Sequence, residues 1–115
     1  MIQLNTEFNR EELEILIDCA GEKLQILSVL EKPCFLLNYY GQFTFEECFG
    51  KTDNDIEKKQ RYKSAKPRRV LKFYQYYLIE DEDNLGEWYI GSEQNNGAIE
   101  GRSCCETLQF AFEIL

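Results

Sequence analysis

Ten residues between Val70 and Ile79 limit the fold more than any other stretch of this chain. Laid out as a strand, they are apolar on both sides: Leu71, Phe73, Tyr77 and Ile79 fall on one face, and Val70, Tyr74, Tyr76 and Leu78 on the other. Such a strand must be covered from both sides, or must offer one face to a partner. Read from Val70 to Glu80, it is the expected central strand. Glu80 to Gly86 then forms a turn, and Glu87 to Gly91 is the hairpin partner. A second turn, Glu93 to Gly97, carries the Asn96-Gly97 pair favoured in tight hairpins, and the third strand runs from Gly97 to Arg102.

Helices are expected on either side of these strands. Asn9 is a good N-cap and Glu12 stands three residues on, the spacing of a capping box. Leu13, Ile17, Ala20, Leu24 and Leu27 then recur at helical spacing, with Leu16 widening the face, as far as Leu30 and the stop at Lys32-Pro33. Gly21 inside that run costs about 1 kcal/mol against alanine, so a break into two helices there is the alternative. Cys34 to Tyr40 reads as a buried strand turned at Gly41-Gln42 into Phe43 to Phe45. A surface helix capped by Thr52 is expected from Asp53 to Ser64, ended by Ala65-Lys66-Pro67. Ser103 with Glu106 makes a second capping box ahead of a terminal helix whose face is Leu108, Ala111, Phe112 and Leu115.

The expected fold class is therefore α+β: an antiparallel meander of three to five strands with an N-terminal helix, a short middle helix and a C-terminal helix. The 115 residues suit a single domain with a sizeable core. No apolar run approaches the roughly 20 residues of a membrane span, and Met1 to Asn5 lacks the character of a signal peptide; a cytoplasmic protein is expected. The N-terminal helix leaves open either a monomer or a homodimer formed through it.

The charge is unevenly placed. Net charge is −8, yet residues 58 to 72 hold Lys58, Lys59, Arg61, Lys63, Lys66, Arg68, Arg69 and Lys72 with no acid among them. The rest of the chain carries a surplus of sixteen acids. Two binding roles follow from that asymmetry. Acidic surface steers onto a basic partner while aromatic side chains anchor it. On this reading the protein is a non-enzymatic inhibitor, or an immunity or antitoxin type of factor, that occludes a protein partner through Glu80, Asp81, Glu82, Asp83, Glu87, Trp88 and Tyr89. The alternative is a nucleic-acid or phosphate-binding module using the 58–72 cations, with Tyr62, Phe73, Tyr74, Tyr76 and Tyr77 as stacking surfaces.

Enzyme chemistry is poorly provided for. The chain has no histidine, which removes histidine-based triads and dyads. Calcium-loop spacing fails from Asp81, where position five is Leu85, and from Asp53, where position six is Lys58. No glycine-rich phosphate loop is present, and no cofactor is expected. The five cysteines, Cys19, Cys34, Cys48, Cys104 and Cys105, form no C-x-x-C pair and read as reduced, small hydrophobic residues. The adjacent Cys104 and Cys105 would be reactive only if something nearby lowered a thiol pKa.

Overall fold

A computed structural model describes residues 1–37 and 62–115 of the protein. The capping box at Asn9 is formed: its side chain accepts from the Glu12 N–H at 2.8 Å, and the Glu12 carboxylate accepts from the Asn9 N–H at 3.0 Å. Helix α1 (Arg10–Cys19) follows from it but does not reach Leu30. Gly21, at φ 59°, ends it, a 3₁₀ turn spans Gly21–Lys23, and the chain then becomes β2 (Leu24–Ile26) and β3 (Val29–Leu30). The chain thus breaks at Gly21, but into strands and not into the second helix that a break there implied. Leu24 and Ile26 alternate as a strand requires, a pattern hidden under their helical spacing from Leu13.

The remaining elements are β1 (Ile2–Gln3), β4 (Cys34–Leu37), β5 (Tyr62–Ser64), β6 (Pro67–Phe73), β7 (Tyr76–Asp81), β8 (Trp88–Glu93), β9 (Ile99–Cys105) and α2 (Leu108–Ile114). Among the described residues the class is α+β with two α-helices, but the sheet is larger than a three- to five-strand meander. Seven strands lie in the order β2-β6-β7-β8-β9-β4-β5, with β4 parallel to β9 and every other pair antiparallel, and β1 pairs with β3 separately. The expected meander survives as its β6–β9 part. The Phe43–Phe45 strand and most of the Asp53–Ser64 helix lie outside the described residues, but Tyr62–Ser64, the last turn of that helix as expected, is strand β5.

The expected central strand is two strands. Its run turns at Tyr74-Gln75, so that Val70 faces Ile79, Leu71 faces Leu78 and Phe73 faces Tyr76. The turn reverses the sorting of faces, because residues opposite each other across a hairpin share a side. Tyr74 occupies a positive φ of 57°, a conformation that turns of this length usually give to glycine or asparagine. A bulky residue there costs about 1–2 kcal/mol, and no glycine, proline or asparagine marks the position in the sequence.

Connectivity forces the sheet to curl. In a flat sheet β5 and β6 would lie five strand spacings apart, about 24 Å. Ser64 and Pro67 are three residues apart, a span of at most about 11 Å. The strand therefore passes from one neighbour to the other at Ala65-Lys66: the Ala65 N–H donates to the Cys34 carbonyl at 2.9 Å, and the Glu82 N–H to the Lys66 carbonyl at 2.9 Å. Bulges at Arg68 and at Arg102, where one strand carries an extra residue, supply bend and twist.

The concave side gathers Leu36, Val70, Tyr77, Ile79, Tyr89 and Ile99, with Leu30 and Ala65. The Gly101 Cα is so close beneath them that an added Cβ would sit 2.7 Å from a Leu36 methyl and 3.1 Å from the Tyr89 Cβ. The convex side packs Leu71, Leu78, Trp88 and Cys105 under Leu16 of α1 and Leu108, Ala111 and Phe112 of α2. The cap of α2 is Thr107, whose hydroxyl accepts from the Phe110 N–H at 3.1 Å, and not Ser103, because pairing with β8 carries β9 on through Cys105.

Candidate partner-binding surface

Much of the basic segment is folded inward. The register steps from Pro67↔Asp81 to Arg69↔Glu80, leaving Arg68 as the extra residue, and both arginines reach one carboxylate. Arg69, 6% exposed, forks onto Glu80 through Nε and Nη2, each at 2.7 Å. Its Nη1 donates to Glu12 Oε1 at 2.9 Å and to the Glu7 carbonyl at 3.1 Å, and Nη2 lies 2.7 Å from Glu12 Oε2. Phe8 and Trp88, stacked with centroids 6.2 Å apart, bring their rings to 4.5 and 5.2 Å from this guanidinium. Arg68 adds a bond to Glu80 Oε1 at 3.1 Å, and the Gly86 N–H one to Oε2 at 3.0 Å.

Glu80 is fully buried. Burial alone would raise its pKa, but the Arg69 fork, the Gly86 N–H and Arg68 together hold the carboxyl below its ordinary value. Glu12 is likewise pushed up by burial and brought down further by Arg69 and its own cap bond. Lys63 lies 3.5 Å from buried Asp81, whose Oδ1 accepts from the Lys66 N–H at 2.6 Å. The Lys72 ammonium sits 5.5 Å from the Tyr77 ring. Lys66 is exposed, and Lys58, Lys59 and Arg61 lie outside the described residues. The cluster itself walls an open cavity of about 590 Å³, where Glu12, Arg68, Arg69 and Glu80 are joined by Phe8 and Leu85, and no buried side-chain polar atom among the described residues lacks a partner. Arg69, Glu80 and Glu12 therefore form a framework joining α1 to β6 and β7.

The expected acidic and aromatic contact set is divided in the same way. Glu80, Asp81, Trp88 and Tyr89 are buried and cannot be first contacts for a partner; Trp88 lies under α1 and α2, and Tyr89 fills the concave side. Glu82 and Asp83 are exposed at the turn, and Glu87 is half-buried, with its carboxylate 3.8 Å from the Cys104 sulfur. Of the stacking candidates, Tyr77 is buried, Phe73 half-buried, and Tyr74 and Tyr76 exposed.

Neither thiol of the adjacent pair is activated. Burial and the neighbouring Glu87 carboxylate raise the Cys104 thiol, although its bond with Tyr89 pulls the other way. Burial raises Cys105, and it pushes Cys34 up to about 12. Both positions of the pair lie in β9, ahead of the α2 cap at Thr107.

Four of the exposed large apolar side chains among the described residues are on the helices. α1 and α2 pack against each other over the convex side of the sheet. Leu13 and Ile17, one turn apart on α1, are exposed, Ile17 to 71%, as are Phe110 and Ile114 on α2. Exposed charges border them: Glu11, Glu14 and Asp18 on α1, with Arg10 3.6 Å from the Glu14 carboxylate, and Glu113 on α2. Of the helical face read from the sequence, Leu16 is buried while Leu13 and Ile17 are not. Leu13, Ile15, Leu16 and Ile17 cover too wide an arc for one buried stripe, which is the sequence signal that some of them face outward. Comparison with protein-family models, with curated proteins and with solved structures finds no match to the chain.

Proposed function

We propose that this protein is a non-enzymatic binding protein that works by covering a basic protein partner, in the manner of an inhibitor or an immunity or antitoxin factor. Its docking surface is the outer side of α1 and α2. The observation that carries this reading is the pair of apolar steps, Leu13–Ile17 and Phe110–Ile114, turned to solvent among carboxylates. Apolar side chains ringed by charge are the usual anatomy of a protein interface, and the sign of the ring selects a cationic partner. Pairing of two copies across this face would set Glu11, Glu14 and Asp18 against their own kind, which disfavours a homodimer there. Internal use of Lys63, Arg68 and Arg69 weakens the nucleic-acid alternative. Free thiols at Cys19, Cys34, Cys104 and Cys105 support a reducing, cytoplasmic setting.

The test is affinity capture from the source cell with three forms of the protein. Wild type is expected to retain a protein of basic isoelectric point. An Ile17→Glu/Phe110→Glu form is expected to lose it, and a Glu82→Lys/Asp83→Lys form to keep it. Loss on the second form alone would move the interface to the β7–β8 turn. Retention by all three would sink the helical face as the docking surface.

A further inference from the structure

We propose that Tyr74 is the side chain by which this protein anchors its partner, entering an apolar pocket on a protein of net positive charge; the inference rests on the binding role assigned above. Tyr74 is the only non-glycine residue at positive φ among the described residues. It is the first central residue of the two-residue turn between β6 and β7, where glycine or asparagine would serve without strain. In return the fold receives little burial: the side chain is 53% exposed, edge-on to Phe73 at 4.6 Å, with the Lys23 ammonium 5.2 Å from its ring. Residues held in such sparsely populated backbone conformations cluster where chains bind or react. Tyrosine is among the residues most often responsible for binding energy, because it offers a large rigid surface with one polar tip.

Its position fits the helical face. Phe73, beside it, meets Phe112 of α2 edge-on at 5.9 Å, and Lys23 lies in the turn that follows α1. Tyr74 therefore stands at the margin of the α1–α2 layer, on a hairpin whose strands are fixed in the sheet. A rigid mount of this kind spares the entropy of ordering a loop on binding. Tyr76, also exposed, follows one residue after the turn. The net charge of −8 and the acids of α1 favour a basic protein over a nucleic acid as the occupant.

The experiment has two arms. In the first, thermal unfolding of Tyr74→Asn and Tyr74→Gly is compared with wild type. If the tyrosine is kept for binding, Tm holds or rises by about 2–8 °C; a fall of more than about 5 °C in both forms would show it is kept for folding and overturn the proposal. In the second, the photo-cross-linker p-benzoylphenylalanine is placed in separate forms of the full chain at Tyr74, Ile17 and Asn95, and irradiated in the source cell. Positions 74 and 17 should trap the same basic protein and position 95 should not. The trapped protein, purified, should bind Tyr74→Asn at least tenfold more weakly than wild type. Trapping at 17 without 74, undiminished binding by Tyr74→Asn, or trapping of nucleic acid at 74 would each overturn the anchor while leaving the helical face to stand on its own test. Trapping at neither position would remove the binding role and the anchor with it.

Discussion

Replacing Arg69 with methionine should cost the protein about 3 kcal/mol of stability, a large share of the roughly 5–15 kcal/mol typical of a folded domain. The guanidinium makes two 2.7 Å bonds to Glu80, contacts Glu12 at 2.9 and 2.7 Å, and lies against Phe8 and Trp88. Methionine keeps the packing of the stem but leaves the fully buried Glu80 carboxylate short of its main counter-charge. Removing one partner of a buried pair typically costs about 3–5 kcal/mol. Arg68 at 3.1 Å and the Gly86 N–H at 3.0 Å remain, which places the cost at the lower end of that range. Urea unfolding followed by fluorescence of Trp88, the single tryptophan, reads the change directly. The Arg69→Met/Glu80→Gln double variant should then cost less than the sum of its singles, with a coupling of about 2 kcal/mol. A single-variant cost below about 1 kcal/mol, the range of a surface ion pair, together with additive singles, would refute the framework role.

Acid should act through the same cluster. Glu80 and Glu12 ionise below the ordinary carboxylate value of 4.5 in the folded state, so their contribution is complete above that pH and is lost as pH falls through the folded values. Unfolding free energy should drop below about pH 4.5, less steeply in Glu80→Gln; equal slopes would contradict the assignment. Gly101→Ala should destabilise by about 1–3 kcal/mol, because the new methyl would lie 2.7 Å from the Leu36 Cδ2 on the filled concave side, and an unchanged urea midpoint would refute that packing. Iodoacetamide should label exposed Cys19 in the native protein, while Cys34 and Cys105 react only on unfolding; mass spectrometry of timed digests reads the order.

What could be read from the chain alone was local. Asn9 with Glu12 and the period of Leu108, Ala111 and Phe112 each describe contacts made within a few residues, and each takes its expected form. The Asn96-Gly97 turn falls where expected, but as a longer loop, Asn95 to Gly97, closed by the Gln94 N–H donating to the Ala98 carbonyl at 2.8 Å, with only Gly97 at positive φ. Two kinds of feature escaped. The Tyr74-Gln75 turn has no glycine, proline or asparagine, so the apolar run through it looks like one strand. The curl of the sheet depends on β5 and β6 belonging to strands at opposite positions of the order, a long-range pairing that no short pattern records. The charge asymmetry was legible as composition but not as geometry. The bulge at Arg68 turns two of its cations onto Glu80, so part of what looked like an exposed basic patch is internal neutralisation. The same step buried Glu80 and Asp81 out of the acidic turn, and the outward apolar pairs on α1 and α2 then became the better candidates for contact.

Electrostatic steering by an acidic face is tested most directly by the rate at which the protein associates with its captured basic partner as salt is raised from roughly 0.05 to 0.5 M, over which the Debye length shrinks from about 14 to about 4 Å. With Glu11, Glu14, Asp18 and Glu113 as the rim of the docking face, the association rate constant should fall at least tenfold while dissociation changes little. An association rate indifferent to salt would contradict the assignment of binding to this surface.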